Sequence, residues 1–187
     1  MSSDPSETAQ PRFGHRHCRY CGGLTETRDP TGTHLRCTDC GRELYVNAKP
    51  CAETLIIGDR GVLLLRRTIE PFHGYWDIPG GFLEEDELPE DGARREALEE
   101  AELAVEIHGL IGMTLDDYPG EEKLTVLTIS YLAEPLGEPR AGDETGEVGW
   151  FAEDAIPEKL AFGHARETIR EAFALRRSHR LFGSSSG

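Results

Sequence analysis

Two short apolar runs in the first half of the chain have the length and composition of β-strands. Ala52–Ile57 and Val62–Arg66 are separated by a four-residue segment that begins with Gly58 and ends with Gly61. Glycines between two short apolar runs are typical of a β-hairpin, so we predict that the runs pair with each other. Further runs with the composition of strands follow at Val105–Met113, Leu124–Leu132 and Glu147–Phe151.

Two other segments have the periodicity of helices. Ala93, Ala97 and Ala101 recur at every fourth position, which predicts a helix over 89–101 with a narrow face able to pack closely on a sheet. Pro89 suits the first turn of this helix, where its missing N–H leaves no hydrogen bond unmade. A second helix is expected over about 164–177, where apolar residues are again spaced for packing.

Composition narrows the classes of partner. The 187 residues include 35 acidic and 20 basic ones, for a formal net charge of −15. This balance disfavours an extended nucleic-acid-binding surface, which would be basic, and a phosphate substrate would require divalent cations. No apolar run reaches the roughly 18 residues of a membrane span, and the polar first dozen residues lack the apolar core of a signal peptide. We therefore expect a cytoplasmic protein with reduced thiols.

Four of the five cysteines form two CxxC pairs with fifteen residues between the pairs. This spacing is typical of a zinc ribbon, and Gly22 and Gly41 after the pairs allow turns that direct backbone N–H groups at the thiolates. A segment of about 35 residues cannot build a sufficient core, so a bound metal would supply its folding energy. The expected ligands of a structural Zn2+ are Cys18, Cys21, Cys37 and Cys40.

Disulfides and a redox pair are the alternatives to a zinc site in this segment. Reduced thiols disfavour disulfides, and a redox CxxC pair requires a βαβ setting that the surrounding pattern does not predict. Between Pro11 and Pro50 there are seven Lys or Arg and four Asp or Glu, a local net charge of +3. That excess is a weak indication of a surface facing phosphate or nucleic acid, and a solvated ribbon is the simpler interpretation. The fifth cysteine, Cys51, is expected to be a buried strand residue.

Three glutamates on the first predicted helix point to a divalent cation. Glu96, Glu99 and Glu100 have the spacing i, i+3, i+4, so their carboxylates share one face within about one turn. Three like charges repel one another, and a hard cation such as Mg2+ or Mn2+ would turn the repulsion into binding. A solvated acidic face is the alternative in a chain this acidic.

The wider spacing around these glutamates favours the metal site. It resembles the Nudix box, G-x5-E-x7-R-E-U-x-E-E-x-G-U, where U is a bulky aliphatic residue. Two positions depart from the box: Ala97 is smaller than the usual aliphatic residue, and Glu102 replaces a glycine that often adopts a left-handed conformation. The matching positions are Gly81, Glu87, Arg95, Glu96, Glu99, Glu100 and Leu103.

The resemblance implies a fold and a set of roles. The fold would be an α/β/α sandwich around a mixed sheet, preceded by the small zinc ribbon. Glu96, Glu99 and Glu100 would bind Mg2+ or Mn2+, with the backbone carbonyl of Gly80 or Gly81 as a further ligand. Pairing of Arg95 with Glu87 would hold the loop before the helix against the helix.

The implied reaction is hydrolysis of a nucleoside diphosphate linked to a group X. The general base would be Glu96 or Glu99 within the box, or a carboxylate from the loop 143–147, where Glu144 is our choice over a solvated loop. Arg66 and Arg67 are candidates to bind substrate phosphate, with surface ion pairs as the alternative. Aromatic candidates for stacking on a base, each of which could instead belong to the core, are Trp76, Trp150, Phe151 and Phe162.

Two groups of the family carry a zinc ribbon before the Nudix domain. One group, the NADH pyrophosphatases, has a Ser-Gln-Pro-Trp-Pro-Phe-Pro run after the box, which this sequence lacks. The other group is similar at Asn47–Pro50, at Ile69–Trp76 and at Leu160–Phe162, and it points to ADP-ribose or FAD pyrophosphatases. A nucleotide sensor without catalysis, and removal of nucleotide caps from RNA, remain alternatives. Many relatives are dimers, so a homodimer is one state that the resemblance allows.

These observations predict an order of segments along the chain. A small-molecule nucleotide is the expected partner, bound by the larger domain. The expected segments are a disordered tail over 1–14, the zinc ribbon over 15–46, the Nudix domain over 47–180 and a flexible tail over 181–187.

Overall fold

The computed structural model describes residues 15–119, 124–142 and 145–183. They belong to two compact units, one with the described residues up to Ala48 and those within 118–125, and the other with the remainder from Lys49 onward. The predicted tail 1–14 and the last four residues of the predicted tail 181–187 lie outside the described residues. No helix in the described ranges is long and apolar enough to cross a membrane.

The smaller unit contains a three-stranded antiparallel sheet in the order β1-β2-β3. Its strands are β1 (Thr25–Thr27), β2 (His34–Cys37) and β3 (Glu43–Tyr45). Its buried core consists of Cys18, Cys37, Leu35 and Leu44, so two of the four predicted zinc ligands are core residues. Such a small apolar core cannot offset the entropy of folding, and a bound metal would supply the missing stabilisation.

The larger unit contains a seven-stranded sheet and two helices. The sheet has the order β10-β5-β4-β9-β8, with β6 paired to β5 and β7 paired to β4. The strands are β4 (Lys49–Gly58), β5 (Gly61–Arg67), β6 (Trp76–Asp77), β7 (Gly80–Phe82), β8 (Val105–Tyr118), β9 (Leu124–Pro135) and β10 (Thr145–Phe151). The helices are α1 (Pro89–Ala101) and α2 (Ala165–Gly183).

The predicted mixed sheet is confirmed by the directions of its strands. β4 runs parallel to β9 and antiparallel to β5, and the pair Ile57 and Val62 closes the predicted hairpin. Helix α1 has the predicted bounds, whereas α2 continues past 177 to Gly183 and includes the first three residues of the predicted tail 181–187. No glycine or proline interrupts the chain between the start of α2 and Gly183, so no local signal ends the helix earlier.

Alternate side chains of the central strands pack against different helices. Leu55 and Ile57 lie in one buried cluster with Ala165 and Ile169 of α2. The intervening Ile56 lies in a second cluster, which contains Ala97 and Ala101 of α1. Since successive strand residues point to opposite faces, one helix covers each face of the sheet, which is the predicted α/β/α arrangement. The strands are therefore apolar on both faces, as observed in sheets buried between two helical layers.

Helix α1 ends in a left-handed residue that is not glycine. Glu102 has φ 46° and ψ 34°, the conformation that the family's usual glycine adopts most easily. A side chain in this conformation costs about 1 kcal/mol because its Cβ approaches the backbone. The departure from the box at position 102 thus changes the stability of the turn and leaves the carboxylates of α1 in place.

Substitution of Glu102 by glycine should stabilise the protein. We expect Glu102→Gly to raise the free energy of unfolding by about 1 kcal/mol, because glycine removes the strained Cβ. Urea denaturation of the zinc-loaded protein measures this change. Glu102→Ala is the matched control, since it removes the carboxylate but keeps the Cβ. Equal stabilisation by both substitutions would attribute the effect to charge and contradict the conformational explanation.

Candidate active site and zinc site

The four cysteines of the ribbon converge as metal ligands. Their sulfur atoms lie within 4.8 Å of one another, with 3.8 Å between Cys18 and Cys40 and 3.5 Å between Cys21 and Cys37. Four sulfurs around a tetrahedral Zn2+ at about 2.3 Å would be separated by about 3.8 Å, so the arrangement fits this ion. The predicted positive φ angles are confirmed at 77° for Gly22 and 71° for Gly41.

Backbone donors support thiolates in the ribbon. The N–H of Cys40 donates to the sulfur of Cys37 at 3.5 Å. This hydrogen bond is the largest of the influences that lower the pKa of Cys37 to about 7. In the described part of the chain, the four cysteines are the one group of three or more Cys, His, Asp or Glu residues whose ligand atoms converge so closely. All four positions are protein thiolates, which suits a structural site rather than a catalytic one.

The carboxylates of α1 lie beside the strand that precedes the helix. Glu100 accepts a hydrogen bond from the N–H of Gly80 at 2.9 Å, and this bond ties the last turn of α1 to β7. Burial, with the nearby charges of Glu96 and Asp77, raises the pKa of Glu100 to about 8 although the Gly80 N–H favours its charged form. Burial also raises the pKa of Glu96, against the opposing effect of Arg95.

Arg95 connects the glutamates of the box. It donates two hydrogen bonds of 2.8 Å to the carboxylate of Glu87, a bidentate pair that lowers the pKa of Glu87. Its third nitrogen contacts Glu96 at 2.7 Å and Glu99 at 3.0 Å. It also donates to the carbonyl of Phe82 at 3.1 Å. Arg95 therefore fixes the loop before α1 and partly neutralises two of the three proposed metal ligands.

The two glycines before α1 permit close approach of β7 to its neighbours. A Cβ at Gly80 would lie 2.6 Å from the carbonyl oxygen of Ala52 on β4. A Cβ at Gly81 would lie 2.4 Å from a carboxylate oxygen of Glu96. Side chains at these positions would move β7 away from the sheet and from α1, so the glycines position the backbone at the carboxylates.

Arg66 and Arg67 line a cleft together with Glu100 and Asp77. Arg67 is largely buried and pairs with Asp77 at 2.8 Å, while its Nε donates to the carbonyl of Pro71 at 2.9 Å. Burial raises the pKa of Asp77 to about 6, and the charge of Arg67 acts in the opposite direction. Arg66 is half-exposed and lies 3.3 Å from Glu147. Both arginines thus lie near Glu100, and Arg67 also holds the loop before β6.

The aromatic candidates occupy different environments. Trp76 and Phe151 pack edge to face, with ring centroids 4.7 Å apart, against the core on the α2 face. Trp150 packs against the core on the α1 face and has the guanidinium of Arg60 4.9 Å from its ring. Phe162 differs from these, because the guanidinium of Arg67 lies 5.6 Å from its ring. Arg67 lines the cleft, so Phe162 lies beside it, while Trp76 is the cross-strand partner of Arg66.

The structure contains a buried ionic network that no sequence pattern predicted. Glu53 accepts a hydrogen bond from Ser130 at 2.6 Å and is paired with Nε2 of His164 at 3.1 Å. Nδ1 of His164 lies 2.6 Å from a carboxylate oxygen of Asp116, as an ion pair. Burial disfavours the imidazolium, but the hydrogen bond and charge of Glu53, with the charge of Asp116, raise the pKa of His164 to about 9. The sequence signal for this network was Glu53, a carboxylate within the apolar run 52–57.

Glu144, the predicted base, lies outside the described residues. The described residues before it are tied to the end of α1, because Arg140 donates its N–H to the carbonyl of Ala101 at 2.8 Å and Gly142 donates to that of Glu100 at 2.9 Å. Cys51 lies in a strand, β4, as predicted, but it is half-buried rather than fully buried, and burial raises the pKa of its thiol.

This fold and this acidic helix are those of one family. The NUDIX domain model matches residues 49–172, and the chain belongs to the NUDIX family. The chain is accordingly a Nudix hydrolase of the pyrophosphohydrolase class. The match excludes the ribbon and covers nearly all of the larger unit.

Individual relatives agree with this assignment. The chain is 32% identical over 124 residues to a Methanocaldococcus jannaschii protein named ADP-ribose pyrophosphatase, covering 66% of this chain and 72% of that protein. It is 30% identical over 168 residues to the NAD-capped RNA hydrolase NudC of Edwardsiella ictaluri, covering 86% of this chain and 61% of that protein. Among solved structures, a NUDIX hydrolase from Nitrosomonas europaea superposes with a TM-score of 0.74 and 30% identity, covering 87% of this chain and 93% of that one.

Zinc content tests the ribbon site. We expect about one Zn2+ per chain in the purified protein and its loss in Cys37→Ser, because three thiolates hold the ion less tightly than four. Metal analysis after gel filtration measures the content. Cys51→Ser is the matched control because Cys51 lies outside the convergent group, and this variant should keep its zinc. Undiminished zinc in Cys37→Ser would contradict the site.

The raised pKa of His164 predicts a pH dependence of stability. Folding raises this pKa from 6.5 to about 9, so the stabilisation is complete below about pH 6.5 and is lost as the pH rises through about 9. Relative to His164→Gln, the wild type should lose on the order of 2 kcal/mol of unfolding free energy between pH 7 and pH 10. Urea denaturation at both values measures the difference.

The control for this experiment is His108→Gln. His108 lies 3.5 Å from Glu134 and is more exposed than His164, so its substitution should change the pH profile little. Glu53 and Asp116 are the charged groups that face His164. A constant difference between wild type and His164→Gln would show that the network does not hold an extra proton.

Proposed function

We propose that this protein hydrolyses a nucleoside diphosphate linked to a second group, with ADP-ribose as the first candidate substrate, in a reaction that requires Mg2+ or Mn2+. The observation that carries the proposal is the acidic face of α1, where Arg95 contacts both Glu96 and Glu99 and the N–H of Gly80 donates to Glu100. The products would be a nucleoside monophosphate and a phosphorylated second group.

The chemistry of the acidic face fits a divalent cation. Its donors are carboxylate oxygens, with the Gly80 carbonyl as a candidate addition, and such hard ligands suit Mg2+ and Mn2+. Burial raises the pKa of both Glu96 and Glu100, so their ionised forms require compensation by a nearby positive charge. The chemistry that a bound cation supplies is neutralisation of the diphosphate and a lower pKa for the attacking water.

Other residues would bind the substrate and accept the proton of the attacking water. Arg66 and Arg67 line the cleft that contains Glu100, and a guanidinium there would hold a phosphate in the negatively charged surroundings. We assign the general base to Glu144, since the preceding Gly142 is hydrogen-bonded to the backbone of Glu100. A carboxylate from this loop would take the proton of the attacking water.

ADP-ribose is favoured over other substrates by the relatives. The Methanocaldococcus jannaschii protein named ADP-ribose pyrophosphatase aligns over 66% of this chain. FAD is the second candidate from the same subgroup. The relatives named NAD-capped RNA hydrolases align over a longer part of the chain and support NAD caps on RNA as a further substrate class.

A substrate panel with a catalytic variant tests the function. ADP-ribose, FAD, NADH and an NAD-capped RNA are incubated with Mg2+ or Mn2+. Chromatography measures AMP from the first three and nicotinamide mononucleotide from the capped RNA, whose AMP moiety stays attached to the strand. We expect AMP from ADP-ribose and a loss of more than about a hundredfold in kcat/KM in Glu99→Gln/Glu100→Gln. Loss of a residue that only supports a metal ligand already costs roughly 10- to 100-fold, and loss of two ligands should cost more.

Glu90→Gln is the control for the panel, since Glu90 lies on the same helix, is exposed and pairs with Arg94 at 3.4 Å. It should retain wild-type activity. AMP from FAD alone, or nicotinamide mononucleotide from the capped RNA alone, would replace ADP-ribose as the substrate and keep the reaction. Absence of hydrolysis of every compound by a metal-loaded wild type would overturn catalysis and favour a nucleotide sensor.

A further inference from the structure

An exposed tyrosine on the first zinc knuckle is flanked by two arginines. Tyr20 lies between the ligands Cys18 and Cys21 and is 58% exposed. The guanidinium carbon of Arg42, which follows the second knuckle, lies 4.4 Å from the centroid of the tyrosine ring. That of Arg19 lies 5.7 Å from the same centroid. Both knuckles thus contribute to one aromatic and cationic surface, here named the Tyr20 surface (Arg19, Tyr20 and Arg42).

The arginines of the Tyr20 surface differ from their neighbours in charge partners. Arg28 and Arg36, on the same ribbon, each pair with a glutamate, at 3.6 Å and 3.9 Å. Within the described ranges, no carboxylate oxygen lies within 4.0 Å of the guanidinium of Arg19 or Arg42. Among the described residues, two arginines without a carboxylate partner therefore flank one exposed ring.

Short hydrogen-bonded turns present this surface. The N–H of Gly22 donates to the carbonyl of Cys18 at 2.8 Å, and the N–H of Gly41 donates to that of Cys37 at 3.1 Å. The positive φ angles of both glycines close these turns around the thiolates. A ligand that binds here does not have to order the backbone first, which lowers the entropic cost of binding.

The chemistry of the Tyr20 surface matches unpaired nucleotides. Bases stack on aromatic rings and on guanidinium planes, and guanidinium groups form bidentate hydrogen bonds with phosphate. An acidic peptide offers the charge but no succession of planar groups, and a duplex keeps its bases stacked within itself. The net charge of −15 disfavours a long contact with any polyanion, so the footprint should be a few nucleotides.

We propose that the Tyr20 surface binds single-stranded RNA over a few nucleotides. RNA is chosen over single-stranded DNA because the relatives named NAD-capped RNA hydrolases include one whose alignment covers 86% of this chain and so reaches into the ribbon. This binding does not depend on the proposed hydrolysis. Together with hydrolysis, it would extend the substrates of this protein to nucleotides attached to the end of an RNA strand.

Binding of a short RNA to the full-length, zinc-loaded protein tests the proposal. A single-stranded RNA with a 5′-hydroxyl and a fluorescent 3′ end is titrated without Mg2+ at several salt concentrations, and anisotropy is measured. Since this RNA contains no diphosphate, the result is independent of hydrolysis. We expect Tyr20→Ala to weaken binding about tenfold, the loss typical of one stacked base. Arg19→Ala/Arg42→Ala should weaken it at least as much and reduce the salt slope by about 1.4.

Arg28→Ala/Arg36→Ala is the matched control, because it removes the same charge from arginines that already have partners. It should bind RNA within about twofold of the wild type, and zinc content confirms that each ribbon variant is folded. Equal weakening by both double variants would overturn the proposal in favour of nonspecific attraction. So would absence of RNA binding by the wild type at low salt, equal binding of a polyglutamate peptide, or preference for a DNA strand of the same sequence.

Discussion

Repulsion among the carboxylates of α1 is the constraint that the packing and hydrogen bonds of the larger unit have to offset. The packing of Ala93, Ala97 and Ala101 on the sheet brings the helix close enough for Glu100 to be half-buried. The N–H of Gly80 then offsets part of the cost of this burial, and Arg95 does the same for Glu96. The partners available from the protein do not remove the pKa shift of either glutamate, which leaves a demand for additional positive charge.

The opposite face of the sheet contains a second set of buried charges, in which one imidazolium partly compensates two carboxylates. Glu53 of β4 and Asp116 of β8 both contact His164, so an imidazolium lies between two carboxylates. Apolar residues of similar size often stabilise a protein as well as a buried ionic group does, so stability alone does not account for this network. Its geometry fixes the start of α2 relative to β4, whose backbone pairs with Gly80 at Glu53.

The features that the sequence predicted are those encoded by local spacing. The bounds of α1, the two knuckles and the hairpin each depend on residues within a few positions of one another, as do the positive φ angles of Gly22 and Gly41. The pairing of Glu53 with His164 spans 111 positions and could not be derived from any local pattern. The ion pair of Arg67 with Asp77 and its hydrogen bond to the carbonyl of Pro71 likewise depend on the path of the loop before β6, which no local pattern predicts.

Under the two proposals, the two units would bind a phosphate compound in different ways. The larger unit concentrates carboxylates, so its attraction for a diphosphate would depend on divalent cations that reverse the local charge. In the ribbon, four thiolates would give the zinc site a net negative charge, and attraction for an anion depends on arginines without carboxylate partners. Arg19 and Arg42 meet this condition, whereas Arg28 and Arg36 do not. Charge pairing within the ribbon, rather than its overall composition, therefore determines where a phosphate chain could bind.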